Sequence, residues 1–392
     1  MQNYSKFAGY LSRAVTAASL FCLVFVAGVQ AKSPASALPE EEQMVESEGE
    51  PLKPSVMFNV LPSGVVVFKG QTFPDLLSYH RSAAFKESGA RCGSEVAQQR
   101  ANSRAPSSPD RQMRAADCTE LFTQIADDYI PLSSARYTIP VYFHVIYQSD
   151  GVGNISDQRI ADQLNVLNED YAGYFGAGTN TSIEFVLAGI TRTQNDEWFT
   201  DSEADELAYK SALGMDPSRY LNVYTNDASG YLGYAYYPQS SAGGVYDGVV
   251  LLHSSVGGRT NGLLPPYDSG RTLVHEVGHY LGLHHTFDTI GGICTNSYSA
   301  GDLVVDTPAQ YNEVNGGPDY GCTASTDCGV TSPIENFMNY SDDSCMDRFS
   351  PEQANRMICS LTSYRPNLFS IVDSDPVASG LPVWLLYEAG KK

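Results

Sequence analysis

The chain has 392 residues, 42% of them hydrophobic, enough to bury a sizeable core in one large domain or two modest ones. Asp and Glu number 45 against 24 Lys and Arg, for a formal net charge of −21. That balance argues against nucleic acid or an anionic membrane surface as partner; it suits plain solubility or the attraction of basic substrates.

The N-terminus has the form of a secretory signal. Lys6 and Arg13 precede the apolar run AVTAASLFCLVFVAGV, and small residues at Val29 and Ala31 place cleavage after Ala31, residues 1–31 being the signal. An uncleaved anchor is the alternative. No later stretch is long and apolar enough to cross a bilayer, so the expected product is secreted and leaves the membrane once the signal is cut. Export makes disulfides the default fate of cysteine. Cys22 departs with the signal, leaving Cys92, Cys118, Cys294, Cys322, Cys328, Cys345 and Cys359. The odd number leaves at least one thiol unpaired.

Residues 32–118 carry an acidic, Pro-bearing run, a short strand-like piece (GVVVFKG) and the polar stretch QQRANSRAPSSPDRQMRAAD. Such composition buries little and is expected to be mobile, as a propeptide with its cleavage region or as a plain linker. From Tyr137 the pattern sharpens. YTIPVYFHVIYQ alternates and reads as a strand. Ser156 can cap a helix over SDQRIADQLNVLNEDYAGY, and IEFVLAGITR is a second strand. ADELAYKSALG is a helix closed by Gly214; YLNVYTND, LGYAYYP and DGVVLLHSSV read as further strands. Strands alternating with helices predict an α/β (α+β) sheet with helices packed on it. DGVVLLHSSV is expected to be the sheet edge that lines a cleft. Residues from Thr286 to about Ser350 are loop-rich, and a last helix starts at Pro351 behind a Ser350 cap. The catalytic domain is expected over 119–365, with a tail over 366–392.

Between these parts lies HEVGHYLGLHH, with four of the seven histidines. On a helix His275 and His279 share one face and can bind one Zn²⁺. Glu276 then lies beside the metal, placed to take a proton from water and pass it to the leaving amine. A straight helix could not deliver a third ligand. Gly282 can adopt a left-handed conformation, turn the chain and bring His285 back to the metal, leaving a coordination position open. His284 is left as a neighbour. Histidines satisfied inside a core helix are the bland alternative.

HEVGHYLGLHH matches the extended HExxHxxGxxH signature of the metzincin metallopeptidases, and NFMNYSDDSC supplies their Met-turn at Met338. With GRTLVHEVGHYLGLHHTF, GDLVVDTPAQ and NFMNYSDDSCMDRFSPEQANRM, the chain over about 138–357 closely resembles the pappalysin family. The resemblance implies a metzincin-like fold: an N-terminal subdomain with a mixed twisted sheet and the active-site helix, and a loop-rich C-terminal subdomain with the Met-turn and a final helix. It implies a secreted zinc endopeptidase acting on proteins or peptides. Met338 would form the base under the zinc ligands. Tyr340 would steady the transition-state oxyanion. Asp343 would floor the pocket for the residue after the scissile bond and favour Arg or Lys. Asp302, Val305 and Thr307 would supply oxygens to Ca²⁺.

Four loop cysteines admit three pairings, and the family suggests the crossed one, Cys294 with Cys328 and Cys322 with Cys345. Cys359 is expected to be a small buried hydrophobe or the partner of an upstream cysteine. Cys92, in ARCGS, resembles the thiolate that occupies the zinc of latent zymogens; a disulfide with Cys118 is the alternative. Activation would cut after Arg104, Arg111 or Arg114. Two other functions stay open. A fold-retaining binding or adhesion protein is opposed by the presence of Glu276. A zinc amidase of cell-wall peptides would need neither Met-turn nor calcium-type loop.

Overall fold

The computed structural model describes residues 58–104 and 129–373, apart from positions 62, 89, 202, 260, 262–263, 312–318 and 327. The expected signal, the acidic run, Arg111, Arg114, Cys118 and the tail beyond residue 373 lie outside the described residues.

The first described segment is folded. Strands β1 (Phe58–Val60), β2 (Val66–Phe68) and β3 (Gln71–Phe73) make an antiparallel sheet. Helices α1 (Leu76–His80), α2 (Ala83–Ser88) and α3 (Ser94–Arg104) follow. Asp75 starts α1 by accepting from the Ser78 N–H at 2.6 Å. The expected mobility is therefore corrected for residues 58–104. Their few aromatics are anchors: Tyr79 and Phe85 are fully buried, and the Phe85 ring lies 5.9 Å from that of Tyr267, far along the chain. The apolar surface that covers them belongs to another part of the sequence.

The main sheet contains β4 (Ala135–Tyr147), β5 (Ile183–Gln194), β6 (Leu221–Asn226), β7 (Gly233–Ala235), β8 (Val249–Leu252) and β9 (Ser370–Asp373). Its order is β5-β4-β6-β8-β7, with β9 antiparallel to the start of β4. The β4–β5, β4–β6 and β6–β8 pairs are parallel, and β7 runs antiparallel to β8. Every residue of β6 and β8 is buried, as expected for parallel strands covered on both faces. Helices α4 (Asp157–Tyr171), α5 (Asp196–Phe199), α6 (Glu203–Leu213), α7 (Pro238–Ser241), α8 (Arg271–Tyr280) and α9 (Pro351–Tyr364) complete the domain. Ser156 caps α4, and Ser350 with Gln353 forms a capping box on α9. Ile160, Leu164, Leu167 and Tyr171 of α4 join Val141, Phe143 and Val277 in one core.

Two expectations change. DGVVLLHSSV holds β8, which lies inside the sheet; the edge is β7, because the chain passes from β6 to the edge and returns between them. The sheet also extends past Arg365, since Ser370–Asp373 pairs with Ala135–Thr138. The crossed disulfides Cys294–Cys328 and Cys322–Cys345 are present, and Cys359 is disulfide-bonded. Cys92 is a free, buried thiol.

A buried histidine and a half-buried one give the fold an acid-sensitive element. His144 sits between the Thr191 hydroxyl at 2.8 Å and Asn222 Oδ1 at 2.9 Å, and burial lowers its pKa. Burial, with the Arg159 charge, takes His253 down to about 4. An unfolded histidine takes up its proton near pH 6.5, about 2.5 units higher, so His253 stabilises the fold above that pH and the contribution is lost as pH falls towards 4. The denaturation midpoint of the wild type relative to His253→Phe is predicted to fall over that window. A difference that stays constant with pH would contradict the assignment.

Candidate active site

Helix α8 starts at Gly270, which offers no side-chain cap. Asp343 replaces it: its Oδ2 accepts from the N–H of Ser269 at 2.9 Å and of Arg271 at 3.2 Å. Arg271 also donates to the Asp343 carbonyl and pairs with Asp170 at 3.2 Å. His275 and His279 then project from one face, both buried. Beneath them Gly278 lets Met338 approach so closely that a Cβ there would lie 2.4 Å from Sδ.

At the other end Gly282 has φ +90°, and an added Cβ would meet Ser360 Oγ at 2.8 Å. Arg356 of α9, also fully buried, donates from Nε to the Gly282 carbonyl at 2.7 Å. The turn returns His285 to the other two. His279 Nε2 lies 3.1 Å from His275 Nε2 and 3.0 Å from His285 Nε2. His284 points away, to Asp288 at 3.0 Å and the Tyr237 ring.

The donor set fits a metal ion. His275 Nδ1 faces the Phe337 carbonyl at 2.7 Å and His279 Nδ1 the Leu283 carbonyl at 2.8 Å, so each Nδ1 carries the proton and each Nε2 turns its lone pair inward. Burial, then the neighbouring imidazoles, hold both histidines well below their usual pKa, in the neutral form a ligand needs. For His285 burial acts the same way, but hydrogen bonds with Asp288, Cys92 and Glu95 outweigh it and raise the pKa. Asp288 thus supports the third imidazole from behind, at 3.5 Å from Nδ1.

Residues 90–94 lie across this cluster. The Leu232 N–H donates to the Ala90 carbonyl, Gly93 N–H to the Gly233 carbonyl at 2.9 Å, and Cys92 pairs in parallel with Gly233 on β7. Cys92 Sγ and the three imidazole nitrogens lie within 4.8 Å of one another, all buried. Burial, then the Glu276 charge, pushes its thiol up to about 11. Burial also raises the Glu276 carboxyl, to about 7. Glu276 Oε2 accepts from Ser94 Oγ at 3.1 Å and Cys92 Sγ at 3.4 Å, while Ser94 Oγ accepts from the Ala235 N–H at 2.9 Å.

Arg91 enters a pocket walled by Tyr267, its guanidinium 4.4 Å from that ring centroid and 3.6 Å from Asp343 Oδ1. Asp343 Oδ1 has no hydrogen-bond partner among the described residues, and burial raises the carboxyl's pKa despite Arg91. Tyr340 is buried, its ring 5.0 Å from that of His285 and its hydroxyl 3.5 Å from the Cys92 carbonyl. Asp302 and Thr307 meet each other, with Thr307 Oγ1 donating to Asp302 Oδ2 at 2.6 Å; the Val305 side chain is exposed. Sequence reasoning passed over Arg91, Ser94, Asp288 and Arg356. Arg91 alone carried a signal, a basic residue beside Cys92 in a chain whose expected pocket ends in Asp343.

The family model described as pregnancy-associated plasma protein-A, an M43 peptidase family, matches residues 210–362. An extracellular metalloprotease of Colletotrichum graminicola is 40% identical over 240 residues, covering 59% of this chain and 79% of that protein. Extracellular metalloprotease 1 of Coccidioides posadasii is 40% identical over 233 residues, covering 57% and 76%. Among solved structures, a promirolysin mutant of Tannerella forsythia is similar with 31% identity and a TM-score of 0.54, covering 71% of this chain and 96% of that chain.

Gly282→Ala forces a side chain into a left-handed turn already filled by Ser360. The substitution is predicted to lower stability by about 1–2 kcal/mol and to weaken Zn²⁺ binding at least about tenfold by displacing His285. Competition with a chromophoric chelator measures the affinity; wild-type affinity in the variant would show that the turn does not position the third imidazole.

Proposed function

The chain belongs to the pappalysin family of metzincin zinc metalloendopeptidases, and on that premise we propose how its own residues share the work. His275, His279 and His285 hold the zinc. When bound, Zn²⁺ polarises the scissile carbonyl and lowers the pKa of water. Glu276 takes the proton from that water and hands it to the leaving amine; a buried carboxyl near neutrality can do both. Tyr340 donates its hydroxyl to the developing oxyanion. Met338 supports α8 from below. An extended substrate adds to the β7 edge. Its residue after the scissile bond enters the Asp343 pocket, where the buried carboxylate oxygen that now faces Arg91 favours Arg or Lys.

One observation carries this reading: the consecutive stretch Arg91 to Ser94 meets the Asp343 pocket, the three imidazoles, the β7 edge and Glu276 in turn. We read it as the plug of a latent zymogen, with Cys92 thiolate as fourth zinc ligand. A bound zinc reverses the proton preference that burial gives the free thiol. Cleavage after Arg104, or after Arg111 or Arg114, would free the plug from a secreted enzyme whose signal ends at Ala31.

We add Ca²⁺ at the Asp302 loop. Asp302 is buried and burial raises its carboxyl to about 8; beside the Thr307 hydroxyl a hard cation can take the place of that proton, with Val305 supplying the carbonyl that the family resemblance assigns. Millimolar Ca²⁺ is predicted to raise the melting temperature of the wild type but not of Asp302→Asn; equal responses would remove the ion from this loop.

The function is tested by mapping cuts in a denatured protein mixture by mass spectrometry, after limited trypsin treatment. The wild type is predicted to cut before Arg and Lys, and to stop when chelated. Glu276→Ala should lose about 10²–10⁴-fold in rate, Asp343→Asn should keep cutting but lose the basic preference, and Cys92→Ala should cut without trypsin. Zinc binding with no Glu276-dependent cutting would instead support a binding or adhesion protein, and digestion of cell-wall peptides alone a zinc amidase.

A further inference from the structure

Beyond Ser94 the plug continues as α3, and two of its arginines rest on a recess that the chemistry above does not use. The Arg104 guanidinium lies over the Tyr246 ring, 4.2 Å from its centroid. Arg100 Nη1 is 4.0 Å from Glu206 Oε2. Glu206, on α6, is fully buried beneath α3, accepts from the Tyr236 hydroxyl at 2.8 Å and pairs with Lys210 at 2.9 Å. Asp201 adds a second buried carboxyl, hydrogen-bonded by Tyr209 at 2.7 Å and Tyr234 at 3.0 Å and electrostatically coupled to Glu206. Two carboxyls thus face one lysine among tyrosine rings. Lys210 Nζ itself lies 5.0 Å from the Tyr236 ring centroid, so these faces already hold a cation. Carboxylates with aromatic faces are the chemistry that takes up a guanidinium or an ammonium group. The helix is seated beside the recess by Ser240, which donates to Gln98 Oε1 at 2.8 Å.

The order along the plug gives the recess a place in the cleft. Arg91 fills the Asp343 pocket, Cys92 meets the imidazoles, and α3 lies beyond them. If the Asp343 pocket receives the residue after the scissile bond, positions past the metal receive residues before it. We propose that, once the plug has left, the recess at Glu206, Tyr236 and Tyr246 is a second subsite of the mature peptidase, taking an Arg or Lys side chain of the substrate several residues before the bond cut. This rests on the reading of residues 91–94 as a plug that vacates the cleft.

The test uses the trypsin-trimmed enzyme, its loss of α3 verified by mass. Quenched peptides carry Arg after the scissile bond and, in separate members of the series, one further Arg or norleucine at each of the third to tenth positions before it. Arg in one register is expected to raise kcat/KM roughly tenfold over norleucine. Tyr246→Leu should abolish that gain while keeping the preference for Arg after the bond. Glu206→Gln should do the same, and Tyr246→Leu decides if loss of the Lys210 partner unfolds the Glu206 variant. No gain in any register, with cutting before Arg intact, overturns the subsite alone. A gain independent of register and unchanged in Tyr246→Leu reflects the acidity of the whole chain and also overturns it. A trimmed enzyme that cuts nothing before Arg overturns the plug reading and the subsite together.

Discussion

Three imidazole lone pairs turned toward one buried point repel one another unless a cation lies between them. The rest of the catalytic domain can be read as the means of holding that arrangement. Helix α8 supplies two of the nitrogens by its own periodicity, and main-chain carbonyls of Phe337 and Leu283 fix their tautomers. The third comes from beyond a turn that only glycine enters without strain, clasped from outside by Arg356 and Ser360 of α9. Asp343 serves both ends of the site. One oxygen caps α8 and so sets the helix that carries the histidines; the other faces the pocket. Pocket and metal position are therefore mechanically one unit.

The segment before the domain uses the same chemistry from the other side. It lays a single β-bridge against β7, a thiol among the imidazoles, a hydroxyl on Glu276 and three arginines on acidic or aromatic sites. Because each contact answers a feature that the site presents, the segment outlines the cleft, and on the proposed reading it is the plug that leaves it. Part of the net charge of −21, compatible at first with mere solubility, meets arginines of the same chain, Arg91 at Asp343 and Arg100 at Glu206.

What the sequence disclosed was what local spacing determines. HEVGHYLGLHH showed the helix, the shared face and the turn because a four-residue step and a glycine are local facts. Ser156, Gly214 and Ser350 bounded their helices for the same reason. The edge strand was misplaced because strand order depends on long-range pairing: β7 and β8 both read as apolar strands, and nothing local says which one returns inside. The fold of residues 58–104 was hidden because the surface that buries Phe85 is supplied by Tyr267. Arg356 was invisible as a clasp, since its acceptor at Gly282 is reached only through the packing of α9. The crossed disulfides came from family resemblance, as four cysteines in loops carry no pairing signal of their own.

The central claim is that Cys92 occupies the metal in the intact chain. The most direct measurement is zinc X-ray absorption on the purified full-length protein, before and after trypsin trimming. The account predicts three nitrogen ligands and one sulfur at about 2.3 Å in the intact chain, with the sulfur replaced by oxygen after trimming. A shell of nitrogen and oxygen alone before trimming would contradict it.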